Sequence, residues 1–224
     1  MRARCVLVPV ALLAACSRGP SGDARREDHR QSAAQADARP VIAAFGDSLT
    51  EGFGADPAST YPEALQRLLD GAGYRYRVVN LGVSGETSSD GLARVGTVLA
   101  EKPTIVILEF GANDGLRGVP VRILRANLER MIAALQDGGA AVVLAGMTLP
   151  PNYGREYIRE FEAVFREVAD RRRVAFIPFL LEGVAPDPRY MLRDGLHPNG
   201  AGYAIIARTV FQAIRPLLKP GKTY

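Results

Sequence analysis

The chain contains no tryptophan, two cysteines and two histidines among its 224 residues. Both cysteines, Cys5 and Cys16, fall near the N-terminus, so everything after them lacks a thiol. A body without cysteine has no internal disulfide, which excludes the stapled scaffolds of small secreted domains. His29 lies in a polar segment, which leaves His197 as the single histidine of a folded body. One histidine and no thiol are too few for a transition-metal site, so no metal is expected. No basic run with interleaved aromatics appears, and no glycine-rich phosphate loop of the Walker or dinucleotide type. Nucleic acid is therefore not an expected partner, and no cofactor is expected. What is present is ordinary globular composition, 47% hydrophobic and 23% charged, with a net charge of +4 from 28 basic and 24 acidic residues. The length suits one domain with a sizeable core.

The N-terminus reads as an address. Arg2 and Arg4 precede an apolar run over residues 5–15 that is too short to span a bilayer, which needs about 20 apolar residues. Leu13-Ala14-Ala15-Cys16 resembles a bacterial lipobox, which implies a signal peptide over residues 1–15, cleavage before Cys16 and a lipid on its sulfur. Cleavage there removes Arg2 and Arg4 and leaves 26 basic residues against 24 acidic. Two or three acyl chains on Cys16 would hold the protein on a membrane surface, since one chain binds only marginally. Residues 17–39 contain no Val, Ile, Leu or aromatic residue and cannot bury enough apolar surface to order themselves. Residues 16–39 therefore read as a lipidated cysteine and flexible tether.

From Pro40 onward, short apolar runs alternate with amphipathic stretches. Strands are expected at residues 41–45, 75–81, 104–110, 141–145 and 174–177. Helices are expected at 61–69, 88–100, 121–135, 155–170 and 201–214. Near-continuous apolar strands between amphipathic helices imply a parallel sheet covered on both faces. The expected fold is α/β: a single domain over residues 40–219, three layers α/β/α, with a mostly five-stranded parallel sheet and a short tail at 220–224. In such sheets ligands bind beyond the carboxyl ends of the strands.

Polar residues collect there. Gly46-Asp47-Ser48-Leu49 follows the first strand, and Gly82-Val83-Ser84-Gly85-Glu86 follows the second. Gly111-Ala112-Asn113-Asp114 follows the third, and Asp194-Gly195-Leu196-His197-Pro198-Asn199 precedes the last helix. Taken singly, each is an ordinary turn segment. Together, GDSL at 46–49, the Gly82 loop, GAND at 111–114 and DGLHPN at 194–199 resemble the GDSL, or SGNH, hydrolases. The four blocks stand in that family's order and span nearly the whole body. GDSLTEGFGA, GVSGETS, NDGLRG and LPPNYG are similar to its small bacterial thioesterase, arylesterase and lysophospholipase branch.

The resemblance implies the flavodoxin-like SGNH fold and a set of roles. Ser48 would be the nucleophile, His197 its general base and Asp194 the carboxylate that orients the imidazole. The chemistry agrees: a serine hydroxyl needs a base within hydrogen-bond reach, and histidine titrates in the useful range. The N–H groups of Ser48 and Gly82 and the Asn113 side chain would form the oxyanion hole. Asp47 and Asp114 read as structural, and Glu86 and Glu109 as solvated or locally bonded. Leu116, Val119, Pro120, Leu149, Pro150 and Tyr153 would wall the acyl pocket.

The implied activity is ester or thioester hydrolysis through an acyl-serine, on acyl or aryl esters including lysophospholipids. A deacetylase of envelope glycans and a non-catalytic envelope lipoprotein are the alternatives, and the lack of tryptophan weighs against a carbohydrate platform. The expected location is the bacterial cell envelope, lipid-anchored on the periplasmic face. Ser17 stands where an aspartate would retain an inner-membrane lipoprotein, which points to the outer membrane. A monomer is expected.

Overall fold

The structure is a computed structural model, and it describes residues 37–219. The expected signal peptide, almost all of the tether including Cys16, and the tail at 220–224 lie outside the described residues. One compact unit begins at Arg39.

Five strands form one parallel sheet: β1 (Val41–Gly46), β2 (Arg77–Gly82), β3 (Ile105–Glu109), β4 (Ala141–Ala145) and β5 (Ala175–Ile177), in the order β2-β1-β3-β4-β5. β1, β3 and all but the first residue of β4 are buried, which explains their apolar runs: strands covered on both faces cannot alternate. The helices are α1 (Ser48–Glu51), α2 (Tyr61–Gly71), α3 (Ser88–Ala93), α4 (Val95–Ala100), α5 (Ala112–Leu116), α6 (Val121–Asp137), α7 (Arg155–Arg172) and α8 (Gly200–Ile214). α2 packs with α8, and α6 packs with α3 and α7, giving a helical layer on each side of the sheet. Thr60 caps α2 through its hydroxyl, and Asn199 caps α8 through its carboxamide.

The single helix expected over 88–100 is two helices. Arg94 breaks it with φ −111° and ψ 14°, and its guanidinium turns inward instead of lying on a solvent face. It pairs with Glu86 at 2.6 Å, donates to the Gly46 carbonyl at 3.1 Å and lies 4.7 Å from the Phe45 ring centroid. Gly91, in α3, is pressed on Phe110, where a Cβ would come within 2.5 Å of the ring. Two further helices, α1 and α5, occupy segments expected as loops.

The chain order reverses at β1, which has β2 on one side and β3 on the other. The carboxyl ends of these three strands therefore border a crevice, where ligands of open α/β sheets bind.

Candidate active site

β1 ends at Gly46, and Asp47 caps the short helix α1, its Oδ1 accepting the Leu49 N–H at 3.0 Å. Ser48 is thus the first residue of a helix, where the N–H has no intrahelical acceptor. Only 8% of Ser48 is exposed. His197 Nε2 lies 3.0 Å from Ser48 Oγ, across 149 residues of sequence. On the other side of the ring, Nδ1 lies 2.7 Å from Asp194 Oδ2. Asp194 Oδ1 accepts the N–H groups of Leu196 at 2.9 Å and His197 at 3.0 Å, so the loop folds around its own carboxylate. Partial burial pushes the Asp194 carboxyl up, but the bonds from His197 and Leu196 outweigh it and hold the group below the usual carboxylate range. The loop is pinned by a Met191–Pro198 bridge and by Asn199, whose Nδ2 donates to the Arg189 carbonyl at 2.9 Å.

Asn113 stands in α5 and directs Nδ2 to Asp47 Oδ2 at 3.1 Å and to the Glu86 carbonyl at 3.0 Å. Its neighbour Asp114 is buried and accepts both the Ser88 N–H at 2.7 Å and the Ser88 hydroxyl at 2.6 Å. That pair ties α5 to the start of α3 and secures Asn113 from behind.

The Gly82 N–H, expected in the oxyanion hole, is already taken. Gly82 is the last residue of β2, paired with Gly46, and its N–H goes to the Asn80 side chain at 2.9 Å. Its missing side chain serves packing: a Cβ would lie 2.0 Å from the Glu51 nitrogen. Gly85, three residues on, sits in the turn closed by the Glu86 N–H on the Val83 carbonyl, with φ +80°. Its loop is held on every side. Ser84 bonds to Glu51 of α1, Arg117 donates to the Gly85 carbonyl at 2.8 Å, and Asn113 holds the Glu86 carbonyl. Gly85 immediately precedes the residue whose carbonyl Asn113 holds, and the Ser-Gly turn pair was its signal in the sequence.

A cavity of about 480 Å³ opens beside Ser48, Asn113 and His197. Leu116, Leu149 and Pro150 line it as expected, with Leu49, Met147, Phe179, Leu181, Pro186, Met191 and Leu196. Val119, Pro120 and Tyr153 do not. Tyr153 turns its hydroxyl to the Leu116 carbonyl at 3.0 Å, the Val119 carbonyl accepts from Tyr157 at 3.5 Å, and Pro120 is exposed at the start of α6. Leu49 follows the serine in α1; the other missed residues come from just after β4 and from the stretch between β5 and α8, which has no helical or strand periodicity to read.

Glu109, expected solvated or locally bonded, is bonded to the Asp47 N–H and the Thr50 hydroxyl and is fully buried at the end of β3. Glu86 is bonded to Arg94. Among the described residues, no cluster of three or more metal-binding side chains occurs.

A hydroxyl, an imidazole and a carboxylate joined in that order, at the switch point of a parallel sheet and beside an apolar cavity, form the constellation of a serine hydrolase. The chain belongs to the GDSL-like lipase/acylhydrolase family, whose model matches residues 44–205, and is a carboxylic ester hydrolase. It is 42% identical over 190 residues to esterase TesA of Pseudomonas aeruginosa, covering 84% of this chain and 92% of that one. It is 38% identical over 171 residues to an arylesterase of Vibrio mimicus, covering 76% and 86%. Thioesterase 1/protease 1/lysophospholipase L1 of Escherichia coli is 33% identical over 185 residues, covering 82% and 88%. The crystal structure of TesA superposes with a TM-score of 0.77, covering 80% of this chain and 99% of that one.

Proposed function

We propose that Ser48 attacks the ester or thioester carbonyl and carries the acyl group. The observation behind this reading is the continuous chain from Ser48 Oγ through His197 to Asp194, at 3.0 and 2.7 Å. As Oγ bonds to the carbonyl carbon, His197 Nε2 takes its proton, and Asp194 stabilises the imidazolium. The imidazolium then protonates the departing alcohol or thiol. Water, losing its proton to Nε2, attacks the acyl-serine, and the proton returns to Oγ as the acid leaves.

The charge on the carbonyl oxygen would be met by the N–H groups of Ser48 and Gly85 and by the Asn113 amide. Asn113 has two amide protons, one on Asp47 and one on the Glu86 carbonyl. Charge-assisted bonds are about twice as strong as neutral ones, so the Glu86 bond is the one that yields to the oxyanion.

The apolar cavity favours medium acyl chains or aryl groups, consistent with the arylesterase and thioesterase names of the relatives. The lipobox-like segment supports a lipid anchor on the periplasmic face of the envelope, and Ser17 after it supports the outer membrane.

The test is hydrolysis of nitrophenyl esters from acetate to laurate by the chain and by Ser48→Ala. The expected result is activity lost in the variant and an optimum above acetate. Equal activity in both would remove Ser48 from the chemistry, and a preference for acetate alone would point to glycan acetates. Separately, Cys16→Ala should move the protein from the membrane to the soluble fraction without changing kcat.

A further inference from the structure

We propose that Asp47 and Glu109 share one proton beneath the oxyanion site, carried on Glu109, and that this pair positions the Asn113 amide and the Ser48 turn. The inference deepens the catalytic reading above, since it rests on Asn113 meeting the oxyanion.

The pair arises from strand register. Gly46 stands opposite Glu109 across the β1–β3 ladder. Without a side chain there, the Glu109 carboxyl lies over the end of β1; a Cβ on residue 46 would come within 2.4 Å of Oε2 and 2.2 Å of Thr50 Oγ1. Glu109 Oε2 accepts the Asp47 N–H at 3.2 Å and the Thr50 hydroxyl at 2.9 Å. Thr50 Oγ1 in turn meets the Tyr61 hydroxyl at 3.3 Å. Oε1 is buried and receives no donor. Asp47 differs, because both its oxygens are served, by the Leu49 N–H and by the Asn113 amide.

An ionised carboxylate with one dry, undonated oxygen is costly, whereas a neutral carboxyl places its own proton there. The Asp47 N–H on Oε2 sets the two carboxyl groups close together at the end of β1, so a charge on one opposes a charge on the other. Asp47, with two donors already, is the better home for the charge. Burial pushes both groups up, and Glu109 is raised further because the Asp47 charge faces it. The other titratable groups facing the pair are Tyr61 of α2, Tyr203 of α8 and His197. Arg94, against β1, is committed to Glu86 and the Gly46 carbonyl.

The arrangement answers a conflict in the site. Asn113 needs an acceptor behind it to aim its amide, and a charged acceptor aims it best. Two negative charges there would oppose the oxyanion. One shared proton leaves a single charge, and His197 becomes positive in the same step that the oxyanion forms. Asp47 and Glu109 touch no substrate and are positioning residues.

The experiment compares the full chain with Glu109→Gln and Glu109→Leu. Glutamine reproduces a neutral acid: its carbonyl can accept from the Asp47 N–H and the Thr50 hydroxyl, and its amide places no charge at the undonated position. Glu109→Gln should keep kcat within about threefold, while Glu109→Leu should lose about 10–100-fold in kcat with KM little changed. Infrared spectra at pH 7 should show the carbonyl stretch of a protonated carboxylic acid in the wild type and not in Glu109→Gln. Absence of that band, or a kcat in Glu109→Gln as low as in Glu109→Leu, would overturn the proposal. Should the leucine variant not fold, the band and the glutamine kinetics still decide. Asn113→Ala separates the two readings: an unaltered kcat there removes the oxyanion role, while the band continues to report the shared proton.

Discussion

The Phe53 ring lies over the His197 imidazole, with centroids 4.5 Å apart and planes tilted by 39°. Phe53 is 47% exposed, an unusual position for a phenylalanine. Its backbone is fixed: the N–H bonds the Ser48 carbonyl at 3.0 Å, and the carbonyl accepts from Tyr203 at 3.4 Å. The ring therefore shields one face of the imidazole and offers its negative π face when the imidazole becomes charged. Such contacts are worth about 0.5–1 kcal/mol at exposed sites. Phe53→Leu keeps apolar bulk but removes the π face, and should lower kcat by about 2–5-fold. Single-turnover kinetics check this; a kcat equal to wild type would leave Phe53 as packing alone.

Asp194→Asn tests the other side of the same ring. The asparagine oxygen can still accept the Leu196 and His197 N–H groups, so the loop should hold. Its amide would then face Nδ1 and donate to it, forcing the proton onto Nε2, where it cannot accept from Ser48. The equivalent change in other serine hydrolases costs about 10⁴ in kcat. The expected outcome is a loss of that order in ester hydrolysis with thermal stability within a few degrees of wild type. A small kcat loss would show that the carboxylate is dispensable.

The two predictions differ in what the sequence could show. Ser48, Asp194 and His197 sit in short motifs whose residue types carry their own chemistry. The parallel sheet was legible because strands buried on both faces read as continuous apolar runs. Nothing local to Phe53 ties it to a histidine 144 residues further along the chain. Glu109 ends an apolar strand, and nothing local distinguishes a carboxylate that folds back over Gly46 from one in solvent; the register decides it. The break at Arg94 was equally hidden, since apolar spacing continues across it while the guanidinium turns inward for reasons set by β1 and Glu86.

The cavity lining leads to a test of specificity. Leu116 and Phe179 both face the cavity and are only partly buried, so changes there need not disturb the core. Leu116→Trp should shorten the preferred acyl chain, and Phe179→Ala should lengthen it. Each methylene in an apolar pocket is worth about 1–3 kcal/mol of discrimination, so shifts of tenfold or more in relative kcat/KM are expected across the ester series. Identical chain-length profiles in both variants and the wild type would mean that the acyl group lies elsewhere.

Gly82 and Gly85 should fail in opposite ways. An alanine at 82 drives its Cβ into the Glu51 backbone, so Gly82→Ala should cost about 3 kcal/mol and lower Tm by roughly 6–12 °C. At 85 there is room, the nearest atom being Arg117 Nη2 at 3.7 Å, but φ is +80°. Alanine pays about 1–2 kcal/mol there or rotates the turn and misdirects the N–H. Gly85→Ala should therefore lose about 10–100-fold in kcat with only a few degrees of Tm. Calorimetry beside steady-state kinetics distinguishes them, and a reversed pattern would restore Gly82 as the donor.

The shared proton on Glu109 has a signature in stability. Its folded-state carboxyl titrates well above the ordinary value of 4.5 because of burial and the Asp47 charge. Above about pH 4.3 the unfolded chain has released this proton while the folded chain keeps it. The folded state then binds one proton more than the unfolded state, so stability falls as pH rises, by about 1.4 kcal/mol per pH unit. Glu109→Gln removes the titration. Asp47, pushed up to about 6 mainly by burial, contributes a similar slope to both proteins below that pH. Denaturant unfolding from pH 4 to 8 should therefore show Glu109→Gln gaining on the wild type steadily with pH. Parallel curves across that range would mean that Glu109 is ionised in the folded protein from the start.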